Sequence, residues 1–541
     1  MPYSWPMHSR KAIILQSWRN GGTLWLVAAF AVGCLAAMAA LFATGDGELA
    51  FLFSSDSLYL PSIYRDVVQQ GGHLRQWSLN AAPNFFPDMA VFFTIQAITG
   101  DFLSATYLFP MVQLIGLIFF FHVALRLGTG LQDARPVTFA AMMVAGLFLW
   151  SVHGWDFYMA FQLLVNSWHL GALLNALMAL CLLLHAIRRG GWLPITLLFL
   201  LTALASASDR SFWPLFSVPV CVILLFAAFR SVQRKRLVLL TFLIAVSSAA
   251  GYLLLDVLGF IIESPYQVMA FQRIEMSWER FSDQFFRLFT GNDLKAYLMY
   301  VALLSLLYVI RKAWQAAFTR TGDAAPQGRD GEARVVFYLF LPLACLANLI
   351  SPILNGSYDG DDSLRYNFAA ILLALLSSSL IIADLGKRAR TIATALALTL
   401  VLVASLTIIL PAEGRMEALL DYQPERSRQM DEIARKEGLR YGAAGYWDAK
   451  LMTMFSREGL EVAPVNEELY LYVHVLRPRS QFAPELVEPR TFVVLVPGDE
   501  LKLDKAGIRE ERSVEAGGVQ VVVTEPWVFD PGTLQGVSAN R

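Results

Sequence analysis

Long apolar runs separated by polar connections fill residues 1–411. A membrane-spanning helix needs about 20 predominantly apolar residues. The runs that approach this length lie at 23–42, 107–125, 137–151, 168–185, 192–205, 212–229, 237–258, 296–310, 335–350, 368–382 and 392–410. The pattern therefore predicts a mostly α-helical, polytopic membrane protein with about eleven transmembrane helices. The first run is too long for a cleaved signal peptide, so we expect it to remain as a span.

Basic residues occur in every second connection. Arg10, Lys11 and Arg19 precede the first run, and alternate connections after it are also basic. These basic connections contain residues 126–135, 188–189, 230–236, 311–334 and 387–390. Because basic connections favour the cytoplasmic side, the long connections at 43–106, 152–167, 259–295 and 351–367 are predicted to be extracytoplasmic.

The pattern changes after Pro411. Residues 412–541 carry charges throughout and contain no run long enough to span a membrane. Helices are predicted at 423–438 and 449–456, and strands at 439–444, 460–465, 491–496 and 519–523. We therefore expect two domains, a transmembrane domain over 1–411 and a soluble α/β domain over 412–541. An odd number of spans places the second domain outside the cell.

The composition excludes several classes of protein. Hydrophobic residues make up 56% of the 541 residues and charged residues only 16%, whereas a soluble protein has about 25% charged residues. The formal net charge of −1 provides no basic surface for nucleic acid. The four cysteines lie inside apolar runs without metal-ligand spacing, so they predict no disulfide framework. No metal is indicated, although a divalent ion remains open as a cofactor.

The first external segment contains the leading candidate for chemistry. Asp56 follows a short apolar stretch, 49–53, just beyond the first span. An acid at this depth can be hydrated from one side and meet a lipid-borne substrate from the other. The alternatives are an ordinary loop residue or the N-cap of a helix that starts near Ser57. Residues 58–70 predict a surface-lying helix that ends at Gly71-Gly72.

Further candidates each have a structural alternative. Asp88 is a catalytic candidate, or the N-cap of an apolar piece, 89–99, that is too short to cross. Arg365, with Tyr366, is a candidate for phosphate binding, or an anchor that snorkels at a span end. Arg210 is a second candidate for phosphate binding, or the partner of Asp209 in a local ion pair.

The remaining polar groups favour structural interpretations. Arg65-Asp66 are predicted to form the solvated face of a helix, and Asp359, Asp361 and Asp362 are predicted to lie in a solvated turn. The other polar groups are the interfacial residues His73, His153 and Trp155-Asp156. These interfacial residues are also candidates for lining an acceptor groove.

Residues 1–411 resemble the GT-C superfamily of membrane glycosyltransferases, such as mannosyltransferases and aminoarabinose transferases. The motifs that follow one another in the order of that superfamily are Asp56, Tyr59, Arg65-Asp66, Gly71-Gly72, Pro83 and Pro87, 89–99, and Arg126-Leu127-Gly128. Arg365-Tyr366 is similar to the Arg-Tyr pair that opens a late span in many members. Ser57 stands where the superfamily carries a second acid, and Tyr64 stands where its Ala-Arg-Asp-like triplet has the alanine.

The resemblance implies transfer of a sugar from a polyprenyl-phosphate donor to a glycan, lipid or protein acceptor on the extracytoplasmic face of the cell inner (plasma) membrane. Asp56 would then be the catalytic base, with Asp88 as a second catalytic candidate. Arg365, Arg210 and Tyr366 would hold the donor phosphate, and the soluble domain would bind the acceptor or shield the site.

Chemistry supports these roles independently. A partly buried carboxylate can deprotonate an acceptor hydroxyl, and an arginine recognises phosphate through two parallel hydrogen bonds. The resemblance itself implies inversion at the sugar carbon, since no second nucleophilic carboxylate is evident. Two other classes stay open. A transporter or lipid flippase would carry inverted repeats and charges at the midplane, and a noncatalytic cell-envelope assembly protein would work through residues 412–541.

Overall fold

A computed structural model describes residues 22–45, 49–50, 52–151, 163–165, 169–262, 271–290, 293–318, 328–358, 360, 363–472, 488–496, 501, 503, 507–516 and 518–529. Within these ranges a helical bundle is followed by a small mixed sheet with two helices.

Eight helices of the described residues are long and apolar enough to cross a membrane. They are Gly22–Ala43, Phe102–Thr129, Leu170–Arg189, Arg234–Val257, Leu294–Phe318, Arg329–Leu354, Ser363–Asp384 and Lys387–Ile409. The other three predicted runs form shorter helices, Arg135–Ser151, Trp192–Ser208 and Val218–Ala228, the last of them after a π-turn at Trp213–Ser217. The chain is therefore a multi-pass membrane protein, and the number of eleven crossings stays a prediction.

Small residues let these helices approach one another closely. A Cβ at Gly251 would overlap the carbonyl oxygen of Ala203 on the neighbouring helix, so this crossing tolerates only glycine. The helix Gly22–Ala43 buries a row of alanines and Gly33, at which a Cβ would lie 2.9 Å from Leu114 Cδ2. Such small-residue contacts are the usual way in which helices pack inside a membrane.

A layer of short elements covers one end of the bundle. The helix Tyr59–Tyr64 continues as a π-turn, Arg65–Gln69, and the turn Phe85–Met89 leads into the helix Ala90–Thr99. These elements match the surface-lying helix predicted at 58–70 and the short apolar piece predicted at 89–99. A two-residue parallel pair joins β1 (Ser78–Leu79) to β2 (Ile261–Ile262). The apolar core of this layer contains Tyr59, Leu60, Ile63, Trp77, Leu79, Phe92 and Phe109.

One helix of this layer has no counterpart in the sequence prediction. Phe271–Arg287 is strongly amphipathic and lies inside a predicted long connection. Because its polar residues are spread along its length, the segment has no continuous apolar run. Its buried side packs Phe281 against Tyr358, with ring centroids 5.5 Å apart.

The C-terminal residues form a five-stranded sheet. Its strands are β3 (Tyr441–Gly445), β4 (Glu461–Val465), β5 (Arg490–Leu495), β6 (Glu510–Ala516) and β7 (Val519–Trp527), in the order β4-β3-β5-β7-β6. The β3 strand is parallel to β4 and β5, whereas β7 is antiparallel to β5 and β6. Two helices accompany the sheet, Glu425–Glu437 and Tyr446–Phe455.

Most of these C-terminal elements match the sequence prediction. The helix Glu425–Glu437 begins after Pro424 and ends at Gly438, which has a positive φ of 69°, as the Pro and Gly signals indicated. Four of the five strands were predicted to within a few residues. The edge strand β6 was missed because its sequence, Glu-Glu-Arg-Ser-Val-Glu-Ala, is mostly polar.

Candidate active site

Asp56 lies in the turn that precedes the helix Tyr59–Tyr64. The N-cap position of this helix is Leu58, and no side chain caps it. Asp56 contributes only its backbone carbonyl, which accepts from the Tyr59 amide at 3.3 Å. Its carboxylate Oδ1 instead accepts a hydrogen bond from the Tyr446 hydroxyl at 2.6 Å. The side chain therefore points to the C-terminal domain rather than to the helix it could have capped.

The helix Tyr446–Phe455 is bound to this turn at several points. The Ser55 hydroxyl donates to the Tyr446 carbonyl at 2.5 Å, and the Lys450 ammonium donates to the Ser55 carbonyl at 3.3 Å. Farther along the helix, Arg65 Nη1 donates to the Thr453 carbonyl at 3.3 Å. The C-terminal domain therefore lies directly on the predicted base.

Burial changes the protonation of both C-terminal groups beside Asp56. It lowers the pKa of Lys450 to about 7, against the opposing effect of the Asp56 charge. It also raises the pKa of Tyr446, and the Asp56 charge raises it further. Tyr446 is therefore a protonated hydrogen-bond donor near neutral pH, whereas Lys450 loses its charge close to neutrality.

Asp88 lies at the end of a tightly held turn between the helices Gly22–Ala43 and Phe102–Thr129. The amide of Asn84 donates to the Ser208 carbonyl at 2.9 Å, and the amide of Phe86 donates to the Ser208 hydroxyl at 3.1 Å. The Asn175 side chain donates to the Phe86 carbonyl at 2.8 Å. These bonds tie the turn to the helices Trp192–Ser208 and Leu170–Arg189. They place Asp88 inside the protein, where it is only 2% exposed.

The Asp88 carboxylate does not cap the following helix. The N-cap position of Ala90–Thr99 is Met89, without a side-chain cap, and Asp88 Oδ1 accepts from Gln113 Nε2 at 2.8 Å. Burial raises the pKa of Asp88 to about 7, and the Asp209 charge adds to this effect. A Cβ at Gly171 would overlap Asp88 Oδ2. Asp88 is therefore enclosed and partly protonated near neutral pH.

A narrow cleft contains the predicted phosphate ligand Arg365. Its lining consists of His169, Leu170, Ser211, Leu215, Asn348, Arg365, Tyr366, Phe368 and Ala369. The Arg365 guanidinium lies 5.1 Å from the centre of the Tyr366 ring, and its Nη2 donates to the Tyr366 hydroxyl at 3.2 Å. The rings of Tyr366 and His169 are 5.8 Å apart. Two groups that can be cationic, Arg365 and His169, thus line one cleft.

His169 is held by Asp209. Its Nδ1 lies 2.7 Å from Asp209 Oδ2 and 3.1 Å from the Ser211 hydroxyl, and Asp209 Oδ1 accepts from the Ser211 amide at 2.7 Å. Burial acts to lower the pKa of His169, but the Asp209 carboxylate outweighs it and holds that pKa above its usual value. Burial acts to raise the pKa of Asp209, but His169 and Ser211 bring it below its usual value. The pair is therefore ionised over a widened pH range.

The sequence did not single out His169, which stands alone at the start of an apolar run.

The described residues do not place every predicted site residue together. Arg210 is exposed, with its guanidinium 5.4 Å from the centre of the Tyr252 ring, and the cleft lining includes neither Arg210 nor Asp56. The helix that follows Asp56 is nevertheless tied to the turn that leads to Asp88, because the Tyr59 hydroxyl donates to the Pro83 carbonyl at 3.2 Å.

The solvated interpretation of Asp66 was wrong. Asp66 is buried, and the indole Nε1 of Trp77 donates to its Oδ2 at 2.7 Å. Gly72 lies against it, because a Cβ there would overlap the carboxylate. Asp66 thus closes the end of its helix, whereas the neighbouring Arg65 reaches the C-terminal helix at the Thr453 carbonyl.

Other predicted candidates contribute little to the described site. His73 is exposed. Two further sets of candidates lie outside the described residues. They are residues 153, 155 and 156 of the predicted acceptor groove and the acids Asp359, Asp361 and Asp362 of the predicted turn. In the part of the chain that the structure describes, no group of three or more His, Cys, Asp or Glu side chains could hold a metal ion.

The fold resembles that of two solved structures of ArnT. The structure of ArnT from Cupriavidus metallidurans in the apo state matches with a TM-score of 0.50 and 13% identity, over 87% of this chain and 93% of the ArnT chain. ArnT from Cupriavidus metallidurans bound to undecaprenyl phosphate matches with a TM-score of 0.51 and 14% identity, over 93% and 98%. No protein-family model and no curated protein sequence matches the chain.

These matches cover most of both chains. The protein is therefore a polytopic membrane protein with an ArnT-like fold, which consists of a helical membrane part and a small C-terminal sheet domain.

Proposed function

We propose that the protein is a membrane glycosyltransferase that takes a sugar from a polyprenyl-phosphate donor. The acceptor would be a glycan, lipid or protein on the extracytoplasmic face. The observation that carries this proposal is the ArnT-like fold, since one of the matching ArnT structures is bound to undecaprenyl phosphate. The acid and the basic cleft described above supply the two chemical groups that such a transfer needs.

The cleft with Arg365 is the proposed site for the donor phosphate. Arginine binds phosphate oxygens through a planar pair of N–H groups and keeps its charge at all working pH values. His169 adds a second positive charge while it is protonated, and Asp209 favours that state. The Tyr366 hydroxyl and the Ser211 hydroxyl are further hydrogen-bonding groups at this cleft. Arg210, which is exposed and lies three residues before the π-turn Trp213–Ser217, remains a candidate for binding a phosphate oxygen outside the cleft lining.

Asp56 is the proposed base. The acceptor hydroxyl gives its proton to the carboxylate as its oxygen attacks the anomeric carbon of the sugar. The bond between that carbon and the phosphate oxygen breaks, and polyprenyl phosphate leaves with the negative charge. The new bond forms on the opposite face of the sugar, so the anomeric configuration inverts.

Asp88 takes a supporting part in this proposal. Because it is enclosed between Gln113 and Gly171, a substrate does not reach it without displacement of the packing. Its charge acts on His169, so its role is to position and tune the phosphate cleft. We therefore propose a positioning role for Asp88 beside the catalytic role that the sequence suggested, which stays a prediction.

A panel of polyprenyl-phosphate sugars tests this proposal. Purified protein in lipid nanodiscs is incubated with each donor and with an extract of cell-envelope lipids and glycans, and sugar transfer is followed by mass spectrometry. We expect at least one donor to yield a glycosylated acceptor and free polyprenyl phosphate. If none of the donors is consumed, the transferase function is refuted.

A further inference from the structure

The C-terminal domain reaches the predicted base with one helix. We infer that Tyr446 and Lys450 are positioning residues for Asp56, which makes the C-terminal domain a working part of the reaction site. This inference rests on the proposed function, in which Asp56 is the base. It goes further because it assigns a role to a domain for which the sequence left acceptor binding and shielding open.

Tyr446 fixes the orientation of the carboxylate. Its hydroxyl occupies Asp56 Oδ1 at 2.6 Å, so Oδ2 is the oxygen available to take the acceptor proton. The Tyr446 backbone is held by the Ser55 hydroxyl, and its ring lies 4.8 Å from the ring of Tyr472. A donor held on both sides can fix the carboxylate to within the narrow range that proton transfer requires.

Below its own pKa of about 7, Lys450 supplies a positive charge beside the same carboxylate. It is 6% exposed, its ammonium group donates to the Ser55 carbonyl, and the Asp56 charge acts on it. A buried cation favours the ionised form of a neighbouring carboxylate, which is the form that accepts a proton. Tyr446 and Lys450 are one helical turn apart on Tyr446–Phe455, so both face Asp56 from the same helix side.

The other charged groups near this helix are engaged elsewhere. Asp448 Oδ1 accepts from Arg426 Nη1 at 2.8 Å on the neighbouring helix, and Arg65 donates to the Thr453 carbonyl. Asp448 therefore offers a matched control on the same helix, because it is an acid that forms its ion pair within the C-terminal domain.

An aromatic cluster anchors the far end of the helix. Phe455 meets Phe53 and Phe102 edge-on, with ring centroids 5.0 and 5.2 Å apart, and Tyr422 stacks on Phe53 at 5.6 Å. Such contacts add about 0.5–1.5 kcal/mol per pair beyond burial. They join the first external segment to the C-terminal domain and keep Tyr446 and Lys450 in register with Asp56.

Four variants of the full chain test the inference with the donor that gives transfer in the panel. We expect Tyr446→Phe and Lys450→Met each to lower kcat by about 10- to 100-fold, with the donor KM unchanged. The acid limb of the pH–rate profile should move to higher pH, because each variant removes a group that favours the ionised carboxylate. Lys450→Arg should restore the position of the acid limb, and Asp448→Asn should leave kcat and the profile unchanged. Unchanged kcat and acid limb in both Tyr446→Phe and Lys450→Met would overturn the inference while the proposed function stands.

A measurement that needs no substrate distinguishes a failure of this inference from a failure of the proposed function. Unfolding of the wild type, Asp56→Asn, Tyr446→Phe and the double variant is followed by thermal denaturation in detergent. Because the two groups share a hydrogen bond, their effects on Tm should be non-additive. Asp56→Asn and Asp448→Asn should be additive as a control. Additivity of Asp56→Asn and Tyr446→Phe would overturn the inference even if no donor is ever consumed.

Discussion

His169 illustrates how one residue acquires a role from a distant partner. The imidazolium form is favoured by Asp209, which lies 40 residues away in sequence and 2.7 Å away in space. The His169 cation is present below its pKa in the folded protein, and Asp209 holds that pKa above the usual value. The positive charge at the cleft thus extends to higher pH than an isolated histidine would allow.

Substitution of Asp209 tests this arrangement. In Asp209→Asn the pKa of His169 should fall, so the cation is lost at lower pH and the donor KM should begin to rise at lower pH than in the wild type. The measurement is the pH dependence of the donor KM. Asp133→Asn, which removes an ion-pair partner of Arg135 and Arg390 at 2.6 and 2.7 Å, is the control and should leave that dependence in place. Identical profiles for Asp209→Asn and the wild type would contradict the role of the pair.

Arg365 allows a second test at the residue scale. Arg365→Lys keeps the charge but loses the planar pair of donors, so we expect the donor KM to rise by about tenfold. Arg365→Gln, which loses the charge too, should raise it further. Arg426→Gln, a substitution at the Asp448 ion pair of the C-terminal domain, should not change KM. The measurement is initial-rate kinetics at varied donor. Equal KM values in all three variants would argue that the phosphate binds elsewhere.

At the scale of elements, the start of the helix Leu170–Arg189 is set by the fit between Gly171 and Asp88. Gly171→Ala would drive a methyl group into the Asp88 carboxylate. We expect a loss of about 1–3 kcal/mol, the usual range for overpacking, seen as a lower Tm. Gly386→Ala, where a Cβ meets nothing within 4 Å, is the matched control. A Tm for Gly171→Ala equal to that of Gly386→Ala would show that the turn relaxes at little cost.

Local patterns predicted the elements better than the site. Apolar runs and their Pro and Gly boundaries predicted the bundle helices and most C-terminal strands, because burial in lipid or in a sheet leaves a periodic pattern in the sequence. The helix Phe271–Arg287 was missed since its apolar residues are spread along one face. The candidates Arg365 and Tyr366 were found as a pair at a span start.

The partners within the site could not be predicted in this way. Tyr446 is 390 residues from Asp56 in sequence, and nothing around Tyr446 marks it as a partner of an acid. The same holds for His169 and Asp209, which lie at the ends of two different helices. Such contacts follow from tertiary packing, which a single sequence does not display through local periodicity.

At the scale of the whole molecule, ion pairs also mark the end of the bundle opposite to Asp56. Asp133 pairs with Arg135 and Arg390, and Lys312 pairs with Asp384 at 2.5 Å. The helix Phe102–Thr129 joins the two ends. Phe102 packs on Phe53 at one end, and Thr129 lines a cavity together with Lys312 and Asp384 at the other. The charge bias predicts that the end with Asp133 is cytoplasmic and that the C-terminal domain is outside.

Labelling in intact cells tests that orientation. A cysteine in place of the exposed Ser513 on β6 should react with a membrane-impermeant maleimide added outside. A cysteine in place of the exposed Ala389, beside Arg390, should react only after the membrane is permeabilised. The unmodified protein serves as the background, since its cysteines in described helices are buried or partly buried. The reverse pattern would invert the predicted topology.

Transfer by the Asp56→Asn variant tests the central claim most directly. The variant keeps the shape of the side chain but removes the base, and Asp101→Asn, at the acid that caps the helix Phe102–Thr129 through the Ser104 amide, is the matched control. Each purified protein is assayed for sugar transfer from the active polyprenyl-phosphate donor, with Tm recorded in parallel. We expect Asp56→Asn to remain folded and lose at least about 100-fold in kcat, while Asp101→Asn retains transfer. Wild-type rates in a folded Asp56→Asn protein would contradict the account.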